Sequence, residues 1–168
     1  MKTFYFCYLL MLTGCTLDNA KESEIPDDAP PQFDSQFTNS VFVLDIQEAE
    51  ADWVDFAYLA ATPTSTLVNQ GSPAIVSMDD EPYPATLDLL NRLSPTQAIL
   101  LNDDSTISGI DDSHTISATN ASEYSFELAS SVWQTAPTVV FASENDYSGA
   151  LLASSVAALL DAPLLFSD

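Results

Sequence analysis

The chain has 168 residues, with 25 Asp and Glu against 3 Lys and Arg, for a formal net charge of −22. Such a surface repels nucleic acid, anionic headgroups and teichoic-type polymers, so no nucleic-acid partner is expected. One histidine and two cysteines leave no Cys/His metal site, and no cofactor is expected.

Lys2 precedes an apolar run over residues 4–12, which closes on Leu12-Thr13-Gly14-Cys15. A positive start, a short hydrophobic segment and small residues before a cut are the layout of an export signal. The run is too short to span a hydrocarbon core of ~30 Å as a helix. Its Leu-Thr-Gly-Cys ending resembles the lipobox of prokaryotic lipoproteins. That resemblance implies a signal peptide over residues 1–14, acylation of Cys15, and an extracytoplasmic chain anchored by lipid to the cell membrane or outer membrane. The competing reading is an ordinary secretory signal in which Cys15 is incidental. Cys7 would leave with the signal, so the mature chain could form no internal disulfide.

Residues 15–39 read as a tether. Asp18, Glu22, Glu24, Asp27, Asp28 and Asp34 alternate with Pro26, Pro30 and Pro31, a composition that favours an extended strap over a packed core. Residues 40–168 are long enough for one domain. Val41-Phe42-Val43-Leu44 reads as a strand buried on both faces. Residues 52–61 have helical spacing up to Pro63, and Ala74-Ile75-Val76 is a second strand. Residues 84–93 form a helix with Leu87, Leu90 and Leu93 on one stripe and Pro84 in its first turn. Residues 98–101 make a third strand and 115–117 a short one. Ser122 is placed to cap a helix reaching about Trp133, with Tyr124, Leu128 and Val132 on one face. A strand at 139–141, an apolar helix at 147–160 and a last strand at 164–166 complete the pattern. Strands alternating with helices predict an α/β fold, a mainly parallel sheet with helices on both faces.

The pattern repeats. Val41-Phe42-Val43-Leu44, a helix, and Pro73-Ala74-Ile75-Val76-Ser77 mirror Val139-Val140-Phe141-Ala142, a helix, and Pro163-Leu164-Leu165-Phe166-Ser167. The helices align as well, with residues 52–60 lying over 145–153. A duplicated β-α-β unit follows. The first copy continues into another helix and strand and the second stops, as in a shortened relative or an incomplete C-terminus.

Residues 138–151, read with Ala157-Ala158-Leu159-Leu160-Asp161-Ala162-Pro163-Leu164-Leu165, resemble the cell wall-binding repeat 2 family. Its modules run from a strand and small-residue turn into Asp-Ala-Leu, an Ala-rich helix, Gly-Ala-Pro and a Leu/Ile strand. Residues 89–101 are similar to the module's Leu-rich helix, proline turn and following strand. The chain departs from the pattern at Asn102-Asp103, where the family carries Gly-Gly. It departs again at Glu123-Tyr124-Ser125-Phe126-Glu127, where the family has a basic stretch. The resemblance implies a noncatalytic module that holds a protein to a cell-envelope polymer or a surface protein.

Acids follow the strands: Asp45 the first, Asp79 and Asp80 the second, Asp103 and Asp104 the third, Glu144 and Asp146 the fourth. Parallel strands would gather these carboxylates at one rim, where open α/β sheets bind ligands. Such a rim could hold a divalent cation such as Ca²⁺ or dock a cationic partner, although the Asp103–Asp112 region lacks EF-hand spacing. The bland alternative is an acidic surface serving solubility. No Gly-x-Ser-x-Gly elbow, Walker loop or dinucleotide fingerprint occurs, and His114 lies in a polar stretch that a solvated histidine suits. The expectation is therefore a lipid-anchored, noncatalytic envelope-binding module rather than an enzyme. A small extracytoplasmic ligand or cation receptor is the alternative. Most of the aromatics Trp53, Tyr58, Tyr124, Phe126, Trp133 and Tyr147 are expected in the core.

Overall fold

A computed structural model describes residues 30–45, 53–78, 83–101, 107 and 109–167. Cys15, the expected signal peptide, most of the expected tether, and Asp79, Asp80, Asp103 and Asp104 lie outside the described residues. The order is β1 (Gln32–Phe33), a 3-10 turn (Ser35–Phe37), β2 (Ser40–Asp45), α1 (Val54–Val68), β3 (Ile75–Met78), α2 (Pro84–Leu93) and β4 (Gln97–Leu101). It continues through β5 (Ser113–Ile116), α3 (Ala121–Val132), β6 (Trp133–Thr135), β7 (Val140–Ser143), α4 (Tyr147–Leu159) and β8 (Leu164–Ser167).

The two most apolar runs, β2 and β4, are the central strands of a four-stranded parallel sheet ordered β3-β2-β4-β5. Phe42 pairs with Ile75 on one side and Ile99 on the other. Alternation divides the side chains between two layers. Phe42, Leu44, Ile99 and Leu101 face a core shared with α1 and α3, while Val41, Val43, Val76 and Leu100 pack with Leu90 of α2. Helices thus cover both faces, as an α/β fold requires.

The repeat is structural as well as sequential. Both β2-α1-β3 and β7-α4-β8 are parallel units. Both helices end on a left-handed residue, Gln70 at φ 54° and Asp161 at φ 46°. Beyond each, a backbone N–H reaches back five residues: Gly71 to the Thr66 carbonyl at 2.8 Å, and Ala162 to the Ala157 carbonyl at 3.0 Å. This is the Schellman ending, which satisfies carbonyls left over at a helix terminus.

The expectation of one sheet holding every strand needs correction, because β7 and β8 form a separate two-stranded parallel sheet. Helices α1 and α3 join the two sheets, α1 touching β2, β3 and β8, and α3 touching β5 and β8. The outward edge of β8 is closed by a side chain: the Phe166 N–H donates to the buried Ser125 hydroxyl of α3 at 3.0 Å. Register also differs from the proline-anchored alignment. Phe42 pairs with Ile75 but Val140 pairs with Leu164, so the second copy is displaced by one residue. A one-residue slip in a strand exchanges its faces, which turns Leu164 and Phe166 into the core and Leu165 outward.

Helix α1 runs through Pro63 instead of stopping before it. A proline there removes the N–H that would bond the Leu59 carbonyl. The hydroxyl of Ser154 on α4 donates to that carbonyl instead, at 2.8 Å and fully buried. Contact between α1 and α4 is made by small residues, Ala57, Ala60 and Ala61 on one helix and Ala150, Ser154 and Ala157 on the other. Close approach therefore turns the leucines of α4 outward: Leu152 is 68% exposed and Leu159 84%. The apolar helix expected over residues 147–160 thus buries its small residues and leaves Leu152 in solvent.

Folded structure also extends upstream of Ser40. Phe33 of β1 pairs with Trp133 of β6, and Phe37 is buried with its ring edge-on to His114 at 5.4 Å. His114 is accordingly a half-buried strand residue of β5, not a loop residue. Phe33 and Phe37 are apolar interruptions in an otherwise polar stretch, and burying them is worth enough to order it. Among the aromatics, Tyr124 and Trp133 are buried, the Trp133 ring N–H donating to the Thr64 hydroxyl at 3.1 Å. Phe126 and Tyr147 are exposed.

Candidate binding surface

Helix α3 begins with a variant of the capping box in which the Glu reaches back to the residue before the cap. The Asn120 side-chain oxygen accepts the Glu123 N–H at 2.8 Å, and the Glu123 carboxylate accepts both the N–H and the hydroxyl of Thr119 at 2.7 Å. Ser122, expected as the cap, is instead inside the first turn. The hydroxyl bond from Thr119, then its N–H bond, hold the Glu123 carboxyl below the ordinary value of 4.5. With Asn120 already serving the helix start, this terminus does not offer a bare anion site.

Beside the box, the outer face of β7–β8 and the first turns of α3 enclose an open groove of about 640 Å³. Its apolar wall is Phe126, Phe141 and Leu165, and its rim carries Glu123 and Glu144. Phe126 is 60% exposed and Phe141 65%. Alternation puts Phe141 on the outward face of β7 because Val140 and Ala142 point to the shared core. In the first copy the matching residue, Val43, is covered by α2. No helix of the described residues plays that part for Phe141. A strand also flanks β2 on each side, whereas among the described residues β7 pairs with β8 alone. Chemically, the groove pairs an aromatic floor with negative rim charge, which suits an amphipathic basic segment and disfavours an anionic polymer.

The carboxylates expected at one rim divide between two sheets. Asp45 ends β2, whereas Glu144 and Asp146 follow β7. The Asp146 carboxylate caps α4 by accepting the Gly149 N–H at 3.0 Å, and a Cβ at residue 149 would collide with that carboxylate. Among the described residues no three His, Cys, Asp or Glu side chains come together as a metal-binding group. No helix among them is long and apolar enough to cross a membrane. Sequence reasoning missed Phe126, Phe141 and Leu165. The signal available was the alignment of Phe141 with Val43, a residue that the helix at 84–93 covers in the first copy.

Comparison of the chain with protein-family models, curated proteins and solved structures gives no match.

Proposed function

We propose that this chain is a lipid-anchored, noncatalytic binding module of the cell envelope, tethered through Cys15 and working through the outer face of β7–β8. The observation that carries the reading is the uncovered aromatic groove, whose Phe141 and Leu165 lie on the segment that resembles cell wall-binding repeats and whose Phe126 lies where the chain departs from them. Large apolar side chains left open beside charged rims mark interaction surfaces. Asp161 adds support, standing left-handed at φ 46° where those modules carry glycine. The acidic groove and the net charge of −22 favour a surface protein, or a polymer without negative charge, as partner.

Two substitutions test the halves separately. Cys15→Ala should move the chain from the membrane fraction to the soluble one; unchanged fractionation refutes the anchor. In the purified Cys15→Ala chain, Phe141→Glu should weaken retention on isolated envelopes at least tenfold while leaving the melting temperature in place. Equal retention refutes the surface.

A further inference from the structure

In the first repeat copy a helix of the same chain covers the outer sheet face, α2 packing Leu90 among Val41, Val43 and Val76. That helix has a second apolar flank. Ala85, Leu89 and Leu93 recur at i, i+4 and i+8 beside buried Leu90, and Leu89 is 40% exposed. Arg92, the only Lys or Arg in residues 40–168, borders this flank. Among the described residues it pairs with Asp88 at 3.2 Å, both side chains being exposed, and a pair of that kind is weak enough to exchange partners. The groove on β7–β8 has the complementary character, apolar at Phe126, Phe141 and Leu165 and negative at Glu123 and Glu144.

We infer that the groove of β7–β8 receives helix α2 of a second copy of this chain. The inference rests on the proposal that this face is the working surface, and it names the occupant. Leu90 of α2 packs on the Val41 and Val43 face of the four-stranded sheet, whereas Val140, Ala142, Leu164 and Phe166 pack into the core on its other face, so donor helix and acceptor face lie on opposite sides. Contact is therefore head-to-tail, and each added copy continues the alternation of helix on sheet. A net charge of −22 opposes this association in dilute solution. Anchoring in one membrane raises the local concentration enough to offset it.

The test is disulfide trapping of the full chain in intact cells. With Leu89→Cys and Phe141→Cys in the same chain, mild oxidation should give a ladder of dimers, trimers and larger species on a non-reducing gel. Coexpression of the two single variants should stop at dimers, because each copy then carries one half of the contact. Both substitutions are at exposed positions, and an unchanged melting temperature confirms folding. A double variant that stays monomeric overturns the inference, and so does a Phe141→Cys chain that dimerises with itself as efficiently as the double variant ladders. Envelope retention separates the two levels. If no ladder forms but Phe141→Glu still weakens retention, the occupant is another molecule and only the self-association falls. If Phe141→Glu has no effect either, the working-surface reading falls with it.

Discussion

Ser154→Ala should destabilise the domain far more than the loss of one hydroxyl group from a helix usually does. Pro63 has no N–H, so within α1 the Leu59 carbonyl has no backbone donor from the residue four places on. The Ser154 hydroxyl is its replacement, at 2.8 Å in a fully buried setting. Removing it strands a desolvated carbonyl, at a cost of about 1–3 kcal/mol. Alanine fits the space, so the loss should be almost wholly electrostatic. The proof lies in a double-mutant cycle. Pro63→Ala returns the missing N–H, and in that background Ser154→Ala should cost less than about 1 kcal/mol, giving a coupling of roughly 1–2 kcal/mol. Urea denaturation of the four chains, with m-values held constant, measures each term. If Ser154→Ala costs the same with and without Pro63, the hydroxyl does not substitute for the absent N–H.

The other predictions follow from the same contacts. Leu152→Ala should change stability by under about 0.5 kcal/mol because Leu152 is exposed, whereas Ala157→Leu should cost about 1–3 kcal/mol by forcing α1 and α4 apart; thermal melts rank the pair, and the reverse order defeats the small-residue interface. Asn120→Ala should cost about 1 kcal/mol through loss of the cap on α3. The lowered Glu123 pKa means that its share of stability is present above the unfolded carboxylate value and is lost as pH falls through the folded one, so Glu123→Gln should flatten the acid limb of a stability–pH curve. Burial raises the Tyr124 phenol well above its ordinary value of 10.0. The neutral ring is then favoured by folding, and stability should be complete below pH 10 and fall as pH climbs beyond it, a slope that Tyr124→Phe should lack. Asp161→Gly should raise stability by up to about 1 kcal/mol, since residue 161 is left-handed; a loss measured in urea would contradict that.

Much of this fold is legible in the chain because β2, β4 and α3 obey their hydrophobic patterns, whereas of the stripe expected on α2 Leu90 is buried and Leu87 and Leu93 are exposed. Tyr124, Leu128 and Val132 fall at helical spacing and are all buried. Pro63 misleads, since a proline normally ends a helix and its compensation comes from Ser154, 91 residues away. Helix α4 misleads for a different reason. Its leucines outweigh its alanines in any hydrophobic count, yet a tight helix–helix contact selects the small residues. The groove was hidden by one residue of register. Aligning Pro73 with Pro163 gives Leu165 the place of inward Ile75, and only the pairing of Val140 with Leu164 turns it outward beside Phe141. Asp45 and the pair Glu144 and Asp146 follow strands of different sheets, because residue order along the chain does not say which sheet a strand joins.

Backbone amide exchange on the full lipid-anchored chain, compared between purified protein and isolated envelopes, addresses the working surface most directly. Amides of residues 140–143 and 164–167 should exchange more slowly on envelopes, together with those in the first turn of α3, and Phe141→Glu should abolish the difference. Protection confined to the far side of the molecule at β3 and β5, or none anywhere, would contradict the claim that the face of β7–β8 is where this protein binds.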